Sequence, residues 1–290
     1  MALGASVSFV AARGGILAGL SADDVIFARF LVAGTVMLPF VLYWGIGDLA
    51  GIGWKRGLVL LVTGGPLFAL LQTEGYAFAP LAHGAVIAPS TVTILSTIGA
   101  GIILREKLTR SHIIGAGIVL TGILVISWQG FTENRPGEST WIGDVLFVLS
   151  SALWAGFTIL LRYWRLDAIR ATAVVAVLSM CVVLPAYVGY RGLDHLAQLP
   201  VGTLAVQGLM QGLVQGVLTL MAYSRSIEIL GVSRAVLFPA IVPAISILIG
   251  IPLIGEIPSH LQIVGLGLVS IGLLIAVGVL KRLLPSRSDP

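Results

Sequence analysis

The chain has 290 residues, of which 57% are hydrophobic and only 10% charged, with a net charge of +4 and a mean hydropathy of +1.04. Soluble domains carry about 25% charged residues, so this composition excludes a water-soluble fold and implies an all-α integral membrane protein with the lipid bilayer as a partner. The lone Cys181 excludes an intrachain disulfide and a thiolate metal cluster.

A helix that crosses a bilayer needs about 20 mostly apolar residues. Ten segments qualify: 3–19, 25–45, 58–79, 84–104, 111–129, 142–161, 171–190, 203–225, 235–254 and 261–280. The first is short and holds Ser6, Ser8 and Arg13. No basic leader with a small-residue cleavage site precedes it, so no removable signal peptide is expected. The longest polar connection, 130–140, has Pro136–Gly137 at its middle and divides the chain into 1–129 and 141–290, five segments each.

Of the 17 lysines and arginines, thirteen fall in one alternating set of connections and two, Arg135 and Arg191, in the other. The remaining two, Arg13 and Arg29, lie within segments. Basic loops stay inside, so both termini are expected in the cytoplasm of a bacterial-type inner membrane, with 130–140 as a periplasmic linker. Basic residues spread this way form no soluble patch, and no nucleic-acid partner is expected.

Residues 85–124 recur at 235–274 without a gap. Pro89, Glu106, Gly115, Val119 and Gly122 each meet their own residue type 150 positions later. Five segments per half is odd, so the halves enter the membrane from opposite sides. That is the inverted-repeat plan of many secondary transporters, whose site lies between the repeats near the midplane.

The paired pattern of apolar run, proline, Leu104-Arg105-Glu106 or Ile254-Gly255-Glu256, and glycine-bearing segment resembles the drug/metabolite transporter superfamily. Within it, the chain looks like a ten-helix EamA-type exporter. Ala152-Leu153-Trp154-Ala155-Gly156-Phe157 resembles the opening of that domain's second copy, and Ala28-Arg29-Phe30 the Arg-Phe of its second helix. The bacterial aromatic amino acid exporters are the nearest likeness. The resemblance implies ten helices and efflux of small metabolites. The first half departs from it, with Ser6 or its neighbours where the second has Trp154.

The sequence holds no phosphate-binding glycine loop, no His-Glu-x-x-His and no Gly-x-Ser-x-Gly. His83, His112, His195 and His260 sit far apart at segment ends. No catalytic residue, metal or cofactor is therefore expected, and the chain does not read as an enzyme.

In segment eight Gln207, Gln211 and Gln215 form one stripe, since each step of four drifts only about 40° on a helix. Gly208, Gly212 and Gly216 run beside it. Two readings stay open, a hydrogen-bonded seam between helices or a wall of a hydrated cavity with Gln215 nearest the midplane. Segment three offers Gln72 and Tyr76 on one face and Glu74 on another. Glu74 is either an ion-pair partner of Arg29 or a coupling residue, because ionisable groups inside a membrane mark function by default. Arg13 either lines the cavity or snorkels.

Pro89 and Pro239, with Pro243, interrupt segments four and nine and are candidate hinges. Glu106 and Glu256, at the ends of those segments, read as solvated anchors. Trp154, near the middle of segment six, is expected to face inward and stack on the substrate beside Gln72, Gln211 and Gln215, with Tyr76 above. The function expected is export of small metabolites, amino acids with aromatic or apolar side chains foremost, by a monomer or weak homo-oligomer. The alternatives are a drug or quaternary-amine exporter and, from other classes, a polytopic membrane enzyme or a channel.

Overall fold

A computed structural model describes residues 1–106, 109–132, 139–235 and 241–276. Every regular element among them is a helix. Pro239 and most of the 130–140 connection lie outside the described residues.

The chain opens with α1 (Ala2–Leu17), then α2 (Ala22–Trp44). A capping box starts α2: the Asp24 carboxylate accepts from the Ser21 backbone N–H, and the Ser21 hydroxyl from the backbone two to three residues on. The third apolar segment is not one helix. Gly65 and Pro66 divide it into α3 (Trp54–Gly64) and α4 (Pro66–Phe78). Proline at the first helical position lacks only an N–H that would be unpaired there anyway, so the break falls just before it. Next come α5 (Leu81–Ile103), with Pro89 inside it, and α6 (Arg110–Thr132).

The second part begins with α7 (Thr140–Tyr163) and α8 (Ala168–Arg191), the latter capped by Asp167. After a short α9 (Leu193–Gln198), the eighth apolar segment runs as α10 (Val201–Gln207), a π-helical stretch (Gly208–Thr219) and α11 (Leu220–Leu230). The expectation of a plain α-helix there is corrected. Wide i→i+5 turns are rare and gather at functional sites. A single turn α12 (Val232–Ala235), α13 (Val242–Ile254) and α14 (His260–Ala276) complete the described chain.

Seven of these helical stretches are long and apolar enough to cross a membrane: 22–44, 54–78, 81–103, 110–128, 140–163, 168–191 and 201–230. The helices α1, α13 and α14 are apolar but shorter. Large apolar side chains stay exposed along them, as Ile113, Leu120 and Leu124 do on α6 and Ile263, Ile271 and Leu274 on α14. Such area would drive a soluble protein to aggregate, whereas lipid covers it at no cost.

Small residues set the helix contacts. The helices α6 and α14 cross with Gly115 against Gly272 and Gly122 against Gly265, and Val119 and Val269 are buried in one cluster between them. A Cβ on Gly115 would come 2.5 Å from the Gly272 carbonyl oxygen, and one on Gly272 2.8 Å from that of Gly115. The glycines therefore seal the bundle internally, as close packing requires. Changing Gly122 or Gly272 to leucine should cost about 1–3 kcal/mol by overpacking, read as a lowered melting temperature in detergent. Exposed Gly117, where a Cβ meets nothing within 4 Å, should accept alanine unchanged.

Elsewhere α2 packs on α8, α5 on α7, and α1 on α13. The π-helical stretch lies against α1 and α2, and α7 and α8 against α4 and α3. Gly212 lets α2 approach closely, since a Cβ there would lie 2.6 Å from Val32 Cβ and 2.9 Å from the Arg29 carbonyl oxygen.

Candidate functional site

The helices enclose a small cavity of about 80 Å³. That is below the usual range for small-molecule pockets, about 300–1,000 Å³. Its walls come from α1, α4, α5, α7 and the π-helical stretch with α11. Trp154 lies in the wall, half-buried, with its ring 4.5 Å from that of Phe68, 5.1 Å from Phe157 and 5.6 Å from Tyr223. Gln72, Ser151, Gln215 and Thr219 supply polar atoms to an otherwise apolar lining. Gln72 Oε1 accepts from the Ser150 hydroxyl at 2.8 Å, which ties α4 to α7, while Gln215 Oε1 has no hydrogen-bond partner.

Pro89 also lines the cavity. The Ser151 hydroxyl donates to the carbonyl of Ala88 at 3.1 Å, and Thr93 to that of Pro89 at 2.8 Å. Hydroxyls thus cluster at the backbone that the proline disturbs. Pro243 differs: it sits in the first turn of α13, where a proline starts a helix without breaking it.

The glutamine stripe divides its work. Gln207 Nε2 donates to the Ala11 carbonyl at 2.7 Å. Gln211 accepts from the Ser8 hydroxyl at 2.9 Å and donates to the Ser8 carbonyl at 2.6 Å. Both stitch the stripe to α1, so Gln211 belongs to a seam and not to the cavity wall. Gln215 alone of the three reaches the cavity. Tyr76 is likewise off the wall: it is fully buried, packed on Phe147 and Phe9, with its hydroxyl next to Gln72.

Sequence reasoning passed over Phe68, Ser151, Thr219 and Tyr223, though each had a spacing signal. Phe68 precedes Gln72 by four, and Thr219 and Tyr223 continue the glutamine stripe by fours. Ser151 precedes Trp154 by three on α7.

One end of the cavity reaches Met1 and Ala2. The other end is closed. There Arg13 Nε lies 2.6 Å from Glu256 Oε1 and Nη1 2.5 Å from the Tyr76 carbonyl oxygen. Glu256 Oε2 in turn accepts from the Leu81 backbone N–H at 2.7 Å, capping α5. Glu256 is therefore no solvated anchor, and Arg13 neither snorkels nor faces the cavity: together they bind α1, α4, α5 and the end of α13. Two further links fasten the same end. His83 Nδ1 lies 2.8 Å from Asp144 Oδ1, between α5 and α7. Between α2 and α8, Tyr187 donates to Asp24 and Arg191 grips Asp23 through Nε and Nη2.

The expected Arg29–Glu74 ion pair does not form. The Arg29 guanidinium lies over the rings of Phe30 and Phe68, 5.4 and 5.9 Å from their centroids, while half-buried Glu74 is near Asp23.

The family comparison matches nearly the whole of this helical chain. The EamA-like transporter family matches residues 1–128 and then 141–278. The chain belongs to the EamA-like transporter family. It is thus a multi-pass membrane transporter, with a small molecule as its substrate. It is 26% identical to the uncharacterized transporter YyaM of Bacillus subtilis (strain 168) over 219 residues, 74% of this chain and 70% of that one. To an uncharacterized transporter in the sor 3'region of Acidianus ambivalens it is 29% identical over 153 residues, 51% of this chain and 53% of that one. A solved protein structure, 18% identical, covers 97% of both chains with a TM-score of 0.65, a likeness of fold alone.

Proposed function

We propose that this protein exports small amphipathic metabolites, foremost amino acids with aromatic or apolar side chains, by alternating access. In this reading ten spans form two inverted five-helix repeats, 1–129 and 141–290, joined by a periplasmic linker. Both termini are cytoplasmic, in a bacterial-type inner membrane. The packing of α6 on α14 carries it. Gly115 and Gly265 are equivalent in the repeat, as are Gly122 and Gly272, yet contact pairs Gly115 with Gly272 and Gly122 with Gly265. Equivalent segments thus cross antiparallel about Val119 and Val269, as halves inserted in opposite senses would.

Another contact exchanges in the same way: α5 on α7 corresponds to α13 on α1. The cavity lies between the halves. With the Arg13–Glu256 end outward, the molecule is closed to the periplasm, ready to take solute from inside. Trp154, Gln72 and Gln215 are the substrate-facing residues of this reading, and Pro89 its principal hinge. Tyr76 and Gln211 support that wall from behind.

The test is flux in liposomes containing the purified protein. The panel pairs phenylalanine, tryptophan, leucine and alanine with quaternary amines and cationic dyes. Counterflow of the amino acids is expected. Movement of the cations alone would replace this reading with a drug exporter, and conduction without saturation would replace it with a channel. For topology, a cysteine at position 134, in a chain with Cys181 replaced by serine, should react with an impermeant thiol reagent in intact cells. Labelling only in broken cells would reverse the orientation.

A further inference from the structure

Arg29 is buried in the bundle, 6% exposed, with no hydrogen bond or ion pair among the described residues. Its Nε is wholly enclosed and unpartnered. A guanidinium does not shed its proton in proteins, so this is a fixed positive charge away from water. Burying an unpaired charge is costly, and cation–π attraction to the rings of Phe30 and Phe68 offsets only part of that cost.

The position of this charge indicates what would balance it. Arg29 sits on α2 where that helix meets both glutamine-bearing walls of the cavity. Its carbonyl oxygen approaches Gly212 on the π-helical stretch that carries Gln215. Its guanidinium lies over Phe68, one turn before Gln72 on α4, and Phe68 is part of the cavity wall against Trp154. One aromatic ring therefore separates the cavity from an unbalanced cation.

We propose that Arg29 is an anion subsite that meets the cavity when the Phe68 ring turns aside, taking the carboxylate of the transported solute. The assignment rests on the transport reading above and narrows its substrate class to solutes with one carboxylate. A carboxylate suits the site better than a phosphate. The planar fork accepts a carboxylate side-on through two parallel bonds. Its single positive charge cancels a single negative one, whereas a phosphate dianion would leave net charge in an apolar cavity. The rest of the solute then lies against Trp154 and Phe68, with Gln72 and Gln215 to receive polar groups.

The experiment compares phenylalanine with phenylalaninamide, which differ in the carboxylate alone, by uptake into liposomes and by thermal melting of the purified protein. The parent should take up phenylalanine and be stabilised by it more than by the amide. In Arg29→Gln the ratio of phenylalanine to amide uptake should fall at least about tenfold, since a charge-assisted pair is lost. Arg29→Lys, which keeps the charge without the fork, should recover part of it. An unchanged ratio in Arg29→Gln overturns the assignment and leaves transport standing. So does a parent that carries the amide but not the acid. A parent that carries neither compound, nor any other amino acid, overturns the amino acid reading and this assignment with it. If Arg29→Gln does not fold, melting of the parent decides: equal stabilisation by acid and amide overturns the assignment, and selective stabilisation by the acid supports it.

Discussion

Arg13→Ala is expected to unlatch the closed end of the cavity. The guanidinium joins Glu256 to the Tyr76 carbonyl, and Glu256 also caps α5 at Leu81. Removing the cation leaves a carboxylate facing a carbonyl with no donor between them. Breaking a fully buried pair costs about 3–5 kcal/mol. Arg13 and Glu256 keep 15% and 23% of their side chains exposed, and water screens part of that loss. About 1–3 kcal/mol is expected, falling on the closed arrangement more than on any arrangement in which the two ends have parted. The population open at this end should rise about fivefold to 150-fold.

A cysteine at Ala88, a cavity position, reports this. With Cys181 replaced, an impermeant thiol reagent applied from outside should label it faster by that factor in Arg13→Ala. Glu256→Gln should act in the same direction, and the double variant should show little further change, because one link is lost in each case. Equal labelling rates in parent and variants would reduce the pair to a structural staple.

This latch marks where sequence reading stops. Arg13 and Glu256 are 243 residues apart, and nothing in either neighbourhood points to the other. A charge at a helix end reads as solvated unless the fold supplies its partner. The Arg29–Glu74 expectation failed for the reverse reason. Two opposite charges at similar depth invite pairing, but spacing along a helix says nothing of how that helix is rotated in the bundle, and these two side chains point to different neighbours.

What spacing does encode came through. The stripe at Gln207, Gln211 and Gln215 faces one way, with its glycines against α2. Its first two members are hydrogen-bonded to α1, while Gln215 lines the cavity with its Oε1 unpartnered among the described residues. The stripe's π-helical path was not legible, because the same residue spacing is compatible with i→i+4 and i→i+5 bonding. The break at Gly65–Pro66 was legible and missed, since attention went to prolines at the centres of segments and not to one at a helical first turn.

Trp154→Ala should have its largest effect on aromatic solutes. The indole touches Phe68, Phe157 and Tyr223, so truncation removes packing as well as a wall. Trp→Ala in a closed core costs about 3–5 kcal/mol, and a half-buried residue at a cavity costs less, because its inner face already meets empty space. Folding should therefore survive. Stacking on an aromatic solute adds about 0.5–1.5 kcal/mol beyond buried area, a twofold to tenfold loss of apparent affinity, about 1.4 kcal/mol per decade. Alanine and valine, with no ring to stack, should lose little. Trp154→Phe separates the two roles: it keeps a ring against Phe68 and Tyr223 and should restore both stability and most of the aromatic preference. Equal losses for aromatic and aliphatic solutes in a normally folded Trp154→Ala would make the tryptophan a packing residue of the wall and move the origin of side-chain preference to Phe68 and Tyr223.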